Sequence, residues 1–362
     1  MAIPPKLPEL SVTSPTINQH GGSVPTGKKI FFWILVSVLS VIFAEVTCYS
    51  SPYPFFDKWG LTVVLPLYGL HTLFLAGLIF RKKSVTLPIL MLAGMLFGLY
   101  EAAITKVFWD PTWGGTETMF AGVAWLQTGV LTLFWHPWFA FILPLMAGEL
   151  IFSSTNEVLN TLPSIIKNWA QRPSGKIVLI SLLAFFCGVN QGANTISVQS
   201  TLISTAESLG VFLLFAVVWR LVSKNVRWQM RDLLPQGKEL TVVGLLLALL
   251  YAISLPLFRP EALPHTPLPY IIILTLYTIS IALLLLNTSK AEPFKTPLPA
   301  LPRRFHWFSI LLFVCVYLAS SVYFFIDKST AGLLIVIAWG LGIITCLWVL
   351  LRSLVAVIGQ HK

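Results

Sequence analysis

The stretch TMFAGVAWLQTGVLTLFWHPWFAFILPLMAG, running from Thr118 to Gly148, decides how this chain is laid out. It holds 31 residues without a formal charge between Glu117 and Glu149. As one α-helix rising 1.5 Å per residue it would extend about 46 Å, well beyond a hydrocarbon core of about 30 Å. Two crossings here would reverse the sidedness of every later loop. One crossing preceded by an interfacial or re-entrant piece at about 118–129 would not. Pro137 and Pro144 interrupt the run, and His136 sits near the join.

Loop charge arbitrates, because cytoplasmic loops collect Lys and Arg. With a single crossing the chain has about ten spans, at about 29–49, 59–80, 85–108, 130–152, 176–195, 204–223, 239–258, 267–287, 305–326 and 331–352. Nineteen of the 24 Lys and Arg then fall on one set of alternate segments, from Lys6, Lys28 and Lys29 through Arg81–Lys83 and Arg303–Arg304 to Lys362. The other set holds only Lys58, Arg259 and Lys328, and Lys106 and Arg220 lie inside spans. The expectation is therefore an all-α, polytopic integral membrane protein of about ten transmembrane helices, in the plasma membrane, with both termini cytoplasmic.

Composition agrees with this class. Of 362 residues 56% are apolar and 10% charged, against about 45–50% and about 25% in soluble domains, and the mean hydropathy is +0.82. A soluble globular fold is excluded. The net charge of +10 follows from basic loops facing an anionic cytoplasmic leaflet, so no nucleic-acid partner is called for. Cys48, Cys187, Cys315 and Cys346 show no CxxC spacing and indicate neither a zinc site nor a disulfide framework; Cys48 and Cys187 are the pair that topology would allow to meet.

Residues 1–27, rich in Pro, Ser, Thr and Gly, read as a disordered cytoplasmic tail. Lys28 and Lys29 before Ile30–Ala44 resemble a signal-peptide start, but the tail in front is long and no A-x-A site follows, so the run reads as a helix. Pro299, Pro302 and Arg304 match PxxPxR within a Pro-rich loop at 288–304, read as a stiff connector. Two regions follow: 28–223 with a polar interior, and the apolar 224–362.

An ionisable residue at membrane depth is costly and by default faces the bundle interior or a wet cavity. Glu45 falls at the outer end of the first helix, His71 near mid-depth on the second, Glu101 and Lys106 in the outer third of the third, and His136 in the outer part of the fourth. Asn190, Gln191 and Asn194 end the fifth helix, and Glu207 begins the sixth. Six helices thus place polar groups at comparable depth, as expected of a cavity opening outward. Glu101 and Lys106 stand about 140° apart around their helix, so they do not pair, and Lys106 reads as snorkelling outward. Gly94, Gly98 and Ala102, and Ala184, Gly188 and Gly192, form small-residue stripes for close packing. Trp109, Trp113, Trp135 and Trp138 read as an aromatic belt. Glu149 and Arg220 fall near cytoplasmic ends and read as interfacial.

The order Glu45 with Ser50, Ser51 and Pro52, then Tyr68-Gly69, Arg81, Tyr100-Glu101 with Lys106, Trp109 with Pro111, and His136 with Leu143-Pro144 and Glu149 resembles an uncharacterised family of prokaryotic polytopic membrane proteins, over about residues 40–152. That family has a Glu-Glu pair where this chain has Tyr100-Glu101, so the resemblance does not imply two-carboxylate chemistry, nor any activity. A more distant likeness is to the type II CAAX-protease superfamily of intramembrane metalloproteases, whose E-E-x-x-x-R is matched here only by Glu101, Ala102 and Lys106, and whose Phe before the His is replaced by Thr132.

Three functions are compatible with these residues. The first is a transport or export protein for an unknown small molecule or lipid. Glu101 would carry the proton or cation, with Glu45, His136 and Glu207 lining the same cavity and Asn190, Gln191 and Asn194 as neutral contacts. The second is an intramembrane metal-dependent hydrolase of lipid or peptide. His71, His136, Glu101 and Glu45 have the ligand types for a divalent metal such as zinc, but their spacing matches no metal motif. The third is a noncatalytic membrane scaffold. No cofactor is otherwise expected.

Overall fold

The computed structural model describes residues 24–81, 83–223, 228–294 and 307–359; most of the N-terminal tail and the PxxPxR segment lie outside these. Ten helices among the described residues are long and apolar enough to cross a membrane. In chain order these and the shorter elements are α1 (Thr26–Val46), α2 (Gly60–Ile79), α3 (Leu87–Thr105), β1 (Met119–Phe120), β2 (Val123–Ala124), α4 (Trp125–Phe152), α5 (Glu157–Thr161), α6 (Ser164–Gln171), α7 (Pro173–Asn194), α8 (Val198–Ser223), α9 (Met230–Leu233), α10 (Lys238–Leu257), α11 (Pro267–Lys290), α12 (Trp307–Ile326) and α13 (Lys328–Gly359). Prolines open the first turns of α3, α7 and α11, where a missing N–H costs nothing.

The Thr118–Gly148 stretch crosses once, as expected, but not in the expected form. Residues 119–124 make a two-stranded hairpin, with Met119 opposite Ala124 and Phe120 opposite Val123. One unbroken helix then runs from Trp125 to Phe152. It absorbs Pro137 because Leu131–Ile142 is wound as π-helix. The wider i→i+5 turn accommodates a residue that has no N–H to give and whose ring would clash in an α-turn. Shorter π-turns end α1 at Ile42–Val46 and open α2 at Gly60–Val64.

Burial divides the bundle into a centre and a periphery. In their most apolar stretches α1 to α4 are 56–78% buried within the protein, whereas α10 to α13 are 17–22% buried. The small-residue stripes set the closest approaches. A Cβ on Gly98 would stand 2.7 Å from the Leu131 carbonyl oxygen, and one on Gly94 would overlap Pro137, so α3 is pressed onto the π-wound part of α4. Likewise a Cβ on Gly188 would come within 2.5 Å of the Tyr317 carbonyl and one on Gly192 within 2.5 Å of that of Ser321. Thus α7 and α12 pack closely along their length. All four cysteines are free.

Two sequence expectations are corrected here. Lys106 does not snorkel: it is fully buried, it ends α3 in the left-handed conformation (φ 66°), and its Nζ donates to the Ile104 carbonyl at 2.9 Å. The left-handed turn folds the side chain back over the helix end, where an orphan carbonyl is available. Trp135 is no belt residue. It is buried, stacked on Phe139 at 4.4 Å, and its Nε1 donates to the Ala44 carbonyl at 3.2 Å.

Candidate functional site

The residues that converge in the centre come from four helices. Glu45 lies on the π-turn of α1, and its carboxylate accepts from the Ser50 hydroxyl and from the Tyr68 hydroxyl of α2. That Tyr68 oxygen lies 3.5 Å from His136 Nε2 on α4, and the same Nε2 lies 3.5 Å from a carboxylate oxygen of Glu101 on α3. A polar chain therefore runs from the exposed Ser50 and half-buried Glu45, through Tyr68 and His136, to the buried Glu101.

Hydrogen bonding specifies the histidine. His136 Nδ1 faces the Leu131 carbonyl at 3.1 Å, so Nδ1 carries the hydrogen and Nε2 presents a lone pair to Tyr68 and Glu101. The acceptor stands five residues earlier, in the register of the π-helix. A carboxylate facing a bare imidazole nitrogen is repelled unless a proton lies between them. The Glu101–His136 contact is thus built for one exchangeable proton, held on the carboxyl oxygen or on the ring nitrogen.

His71 is beside this chain but not in it. Its Nδ1 donates to the Leu67 carbonyl at 2.6 Å, and its ring stacks on Phe97 at 4.8 Å. Phe97 also meets the His136 ring at 5.3 Å and so stands between the two histidines. Among the described residues no three His, Cys, Asp or Glu side chains come together as a metal-ligand group. His136 and Glu101 offer two donors, Glu45 is engaged by Tyr68, and His71 is stacked on Phe97.

The polar residues of α7 are used elsewhere. Asn190 and Asn194 donate to the carbonyls of Phe186 and Asn190 on their own helix, and the Gln191 amide oxygen accepts from Ser321 of α12 at 3.1 Å. No hydrogen bond described for them reaches Glu101 or His136. Glu207 lies well inside α8, which begins at Val198 instead of near 204. One of its carboxylate oxygens is enclosed without a partner among the described residues.

The interior also contains groups that sequence reading passed over. Tyr251 of α10 and Tyr277 of α11 meet Tyr100 edge-on at 5.4 and 5.2 Å, and Tyr100 in turn faces His71 at 5.4 Å. The later helices, apolar in charge count, thus close the site with aromatic rings. A tyrosine within an apolar run was the available signal.

At the opposite end of α4 a second buried carboxylate has a different setting. Glu149 accepts from the Thr155 hydroxyl at 2.9 Å and from the backbone N–H groups of Glu157 and Val158 at 2.5 and 2.9 Å, so it caps the start of α5. Glu157 pairs with Arg231 at 2.5 Å. Arg231 donates as well to the carbonyls of Phe80 and Lys83 at 2.6 and 2.9 Å, and its guanidinium lies 3.6 Å from the Phe294 ring centre. Burial pushes the Glu157 carboxyl up from its ordinary range, and the Arg231 guanidinium offsets this only in part. One arginine therefore ties together four connecting segments of the chain.

Comparison with known proteins places the molecule. A model of an uncharacterised membrane protein family matches residues 34–359. The chain belongs to this family. It is also 34% identical over 297 residues to an uncharacterised protein of Archaeoglobus fulgidus, covering 81% of this chain and 89% of that one. The family match reaches well past the part recognised from sequence, about 40–152, and takes in the peripheral helices. No solved structure matches the chain.

Proposed function

We propose that this family member is a transport or export protein of the plasma membrane that moves its solute in exchange or symport with protons, and that Glu101 binds the coupling proton. The observation that carries this reading is the Glu45–Tyr68–His136–Glu101 chain. It starts at a half-exposed carboxylate, ends at a buried one, and has a bare imidazole nitrogen where a proton is required. Ionisable residues in such a setting mark proton relays in membrane transporters. Two of the four groups stand on π-wound backbone, a distortion frequent at functional sites. The basic segments favour cytoplasmic termini, which puts Glu45 at the outer surface.

The test is proton movement in proteoliposomes loaded with a pH-sensitive dye, under an imposed pH gradient and in the presence of a panel of cations, amphiphiles and small polar solutes. A solute that provokes proton flux through the wild type should provoke none through Glu101→Gln, which keeps the shape and removes the titration. Flux unchanged in Glu101→Gln removes the mechanism.

A further inference from the structure

The short helix α6 lies on the surface of the bundle. Ser164, Lys167, Asn168 and Gln171 fall at helical spacing on one side and Ile165, Ile166 and Trp169 on the other, so the helix is amphipathic. None of its residues is buried. Ile166 rests against the protein core, while Ile165 and Trp169 are 64% and 41% exposed. Eight residues rise about 12 Å, too little to cross a bilayer. An exposed apolar stripe on a helix joining two spans is explained by lying in the interface plane.

The adjoining turn carries the matching charge. The Trp169 carbonyl lies within 2.5 Å of where a Cβ on Gly175 would stand, so α6 folds back tightly on the start of α7. The corner leaves an open recess of about 260 Å³ lined by Trp169, Arg172, Ser174, Gly175 and Val178. Arg172 and Lys176 are one helical turn apart, both exposed, and neither makes an ion pair among the described residues. No Asp or Glu occurs between Glu157 and Glu207. An apolar edge beside two cations that make no ion pair among the described residues is complementary to an anionic phospholipid.

We propose that α6 and the first turn of α7 form a binding site for an anionic phospholipid. Ile165 and Trp169 enter the acyl region, and Arg172 and Lys176 hold the headgroup phosphate. The proposal is independent of the transport reading. It is tested by native mass spectrometry of the delipidated full chain titrated with phosphatidylglycerol or phosphatidylcholine. With about a five-fold effect for each cation at the surface, Arg172→Gln with Lys176→Gln should lower phosphatidylglycerol retention by about twenty- to thirty-fold. Phosphatidylcholine retention should be unchanged, Arg172→Lys should retain most of the binding, and Lys58→Gln should match the wild type. Equal phosphatidylglycerol retention by the double variant and the wild type would overturn the proposal. So would displacement of the lipid by millimolar inorganic phosphate, which would show that the headgroup alone is read and the apolar edge is idle.

Discussion

Glu101 and Glu149 are both buried carboxylates in membrane-spanning helices, and the protein treats them in opposite ways. Glu149 is satisfied by three donors, two of them backbone N–H groups at a helix start. Among the described residues the Glu101 carboxyl has only the hydroxyl of Thr105, one turn along its own helix, and an imidazole nitrogen at 3.5 Å that is itself an acceptor until a proton arrives. A carboxylate held by three donors is tied to the segment it caps and holds the fold. One with an unfilled partner has a protonation state left open. On the proposed reading the difference separates structural burial from a proton site, although a residue count registers both as a glutamate in an apolar run.

That contrast can be broken experimentally, beginning with the strongest effect. Arg231→Ala should be the most damaging change, because it strands Glu157 and two carbonyls, and breaking a buried pair costs about 3–5 kcal/mol. Thermal unfolding in detergent should show a large drop or no folded protein. Glu149→Ala should follow, with three donors left unsatisfied at about 1–3 kcal/mol each when buried. Glu101→Gln should leave the unfolding temperature unchanged or raise it while abolishing solute-driven proton movement. If Glu101→Gln and Glu149→Gln destabilise to the same degree, the distinction fails.

Smaller effects sharpen the division between centre and periphery. Gly188→Leu must part α7 from α12 and should cost about 1–3 kcal/mol, the usual range for overpacking. The same change at Gly340, where no atom stands within 4 Å of the added carbon, should cost nothing measurable. The smallest effect belongs to Asp327, between α12 and α13. Its carboxyl is held below its ordinary pKa by hydrogen bonds from Thr330 and Ser329. The stability it lends is present above the normal aspartate range and is lost as pH falls through its lowered folded value. Unfolding curves of wild type and Asp327→Ala should therefore converge on acidification.

Much of the layout is legible from charge and apolar length. The ten spans, the single crossing through Thr118–Gly148 and the two small-residue stripes follow from hydropathy, basic loops and glycine spacing. The site was legible only in part. Glu45, Glu101 and His136 stand out because charge in an apolar run is conspicuous. Tyr68 joins them and does not stand out, since a tyrosine is ordinary in such a helix and its role depends on where its hydroxyl ends. His71 was grouped with His136 for its chemistry, yet Phe97 divides them, a fact of rotation around helices that no spacing between separate helices records. Lys106 misled because snorkelling presumes an ordinary helix end, and a left-handed turn returned the side chain to the interior. The Arg231 clasp reaches hydrogen-bond partners 74 to 151 residues away and left no local trace.

The π-wound stretch of α4 has a consequence for how this chain tolerates change in length. A π-turn holds one residue more than the α-turn it replaces, so deleting one residue within Leu131–Ile142 would let part of the helix relax to α-geometry. The flanking turns would then keep their phase, since an α-turn sweeps the same rotation with one residue fewer, and the side chains of the π-wound part would be re-aimed. His136 would leave Glu101 while every side chain kept its identity. In this helix a single missing codon would do what no point substitution does: keep the membrane span and take its working face away.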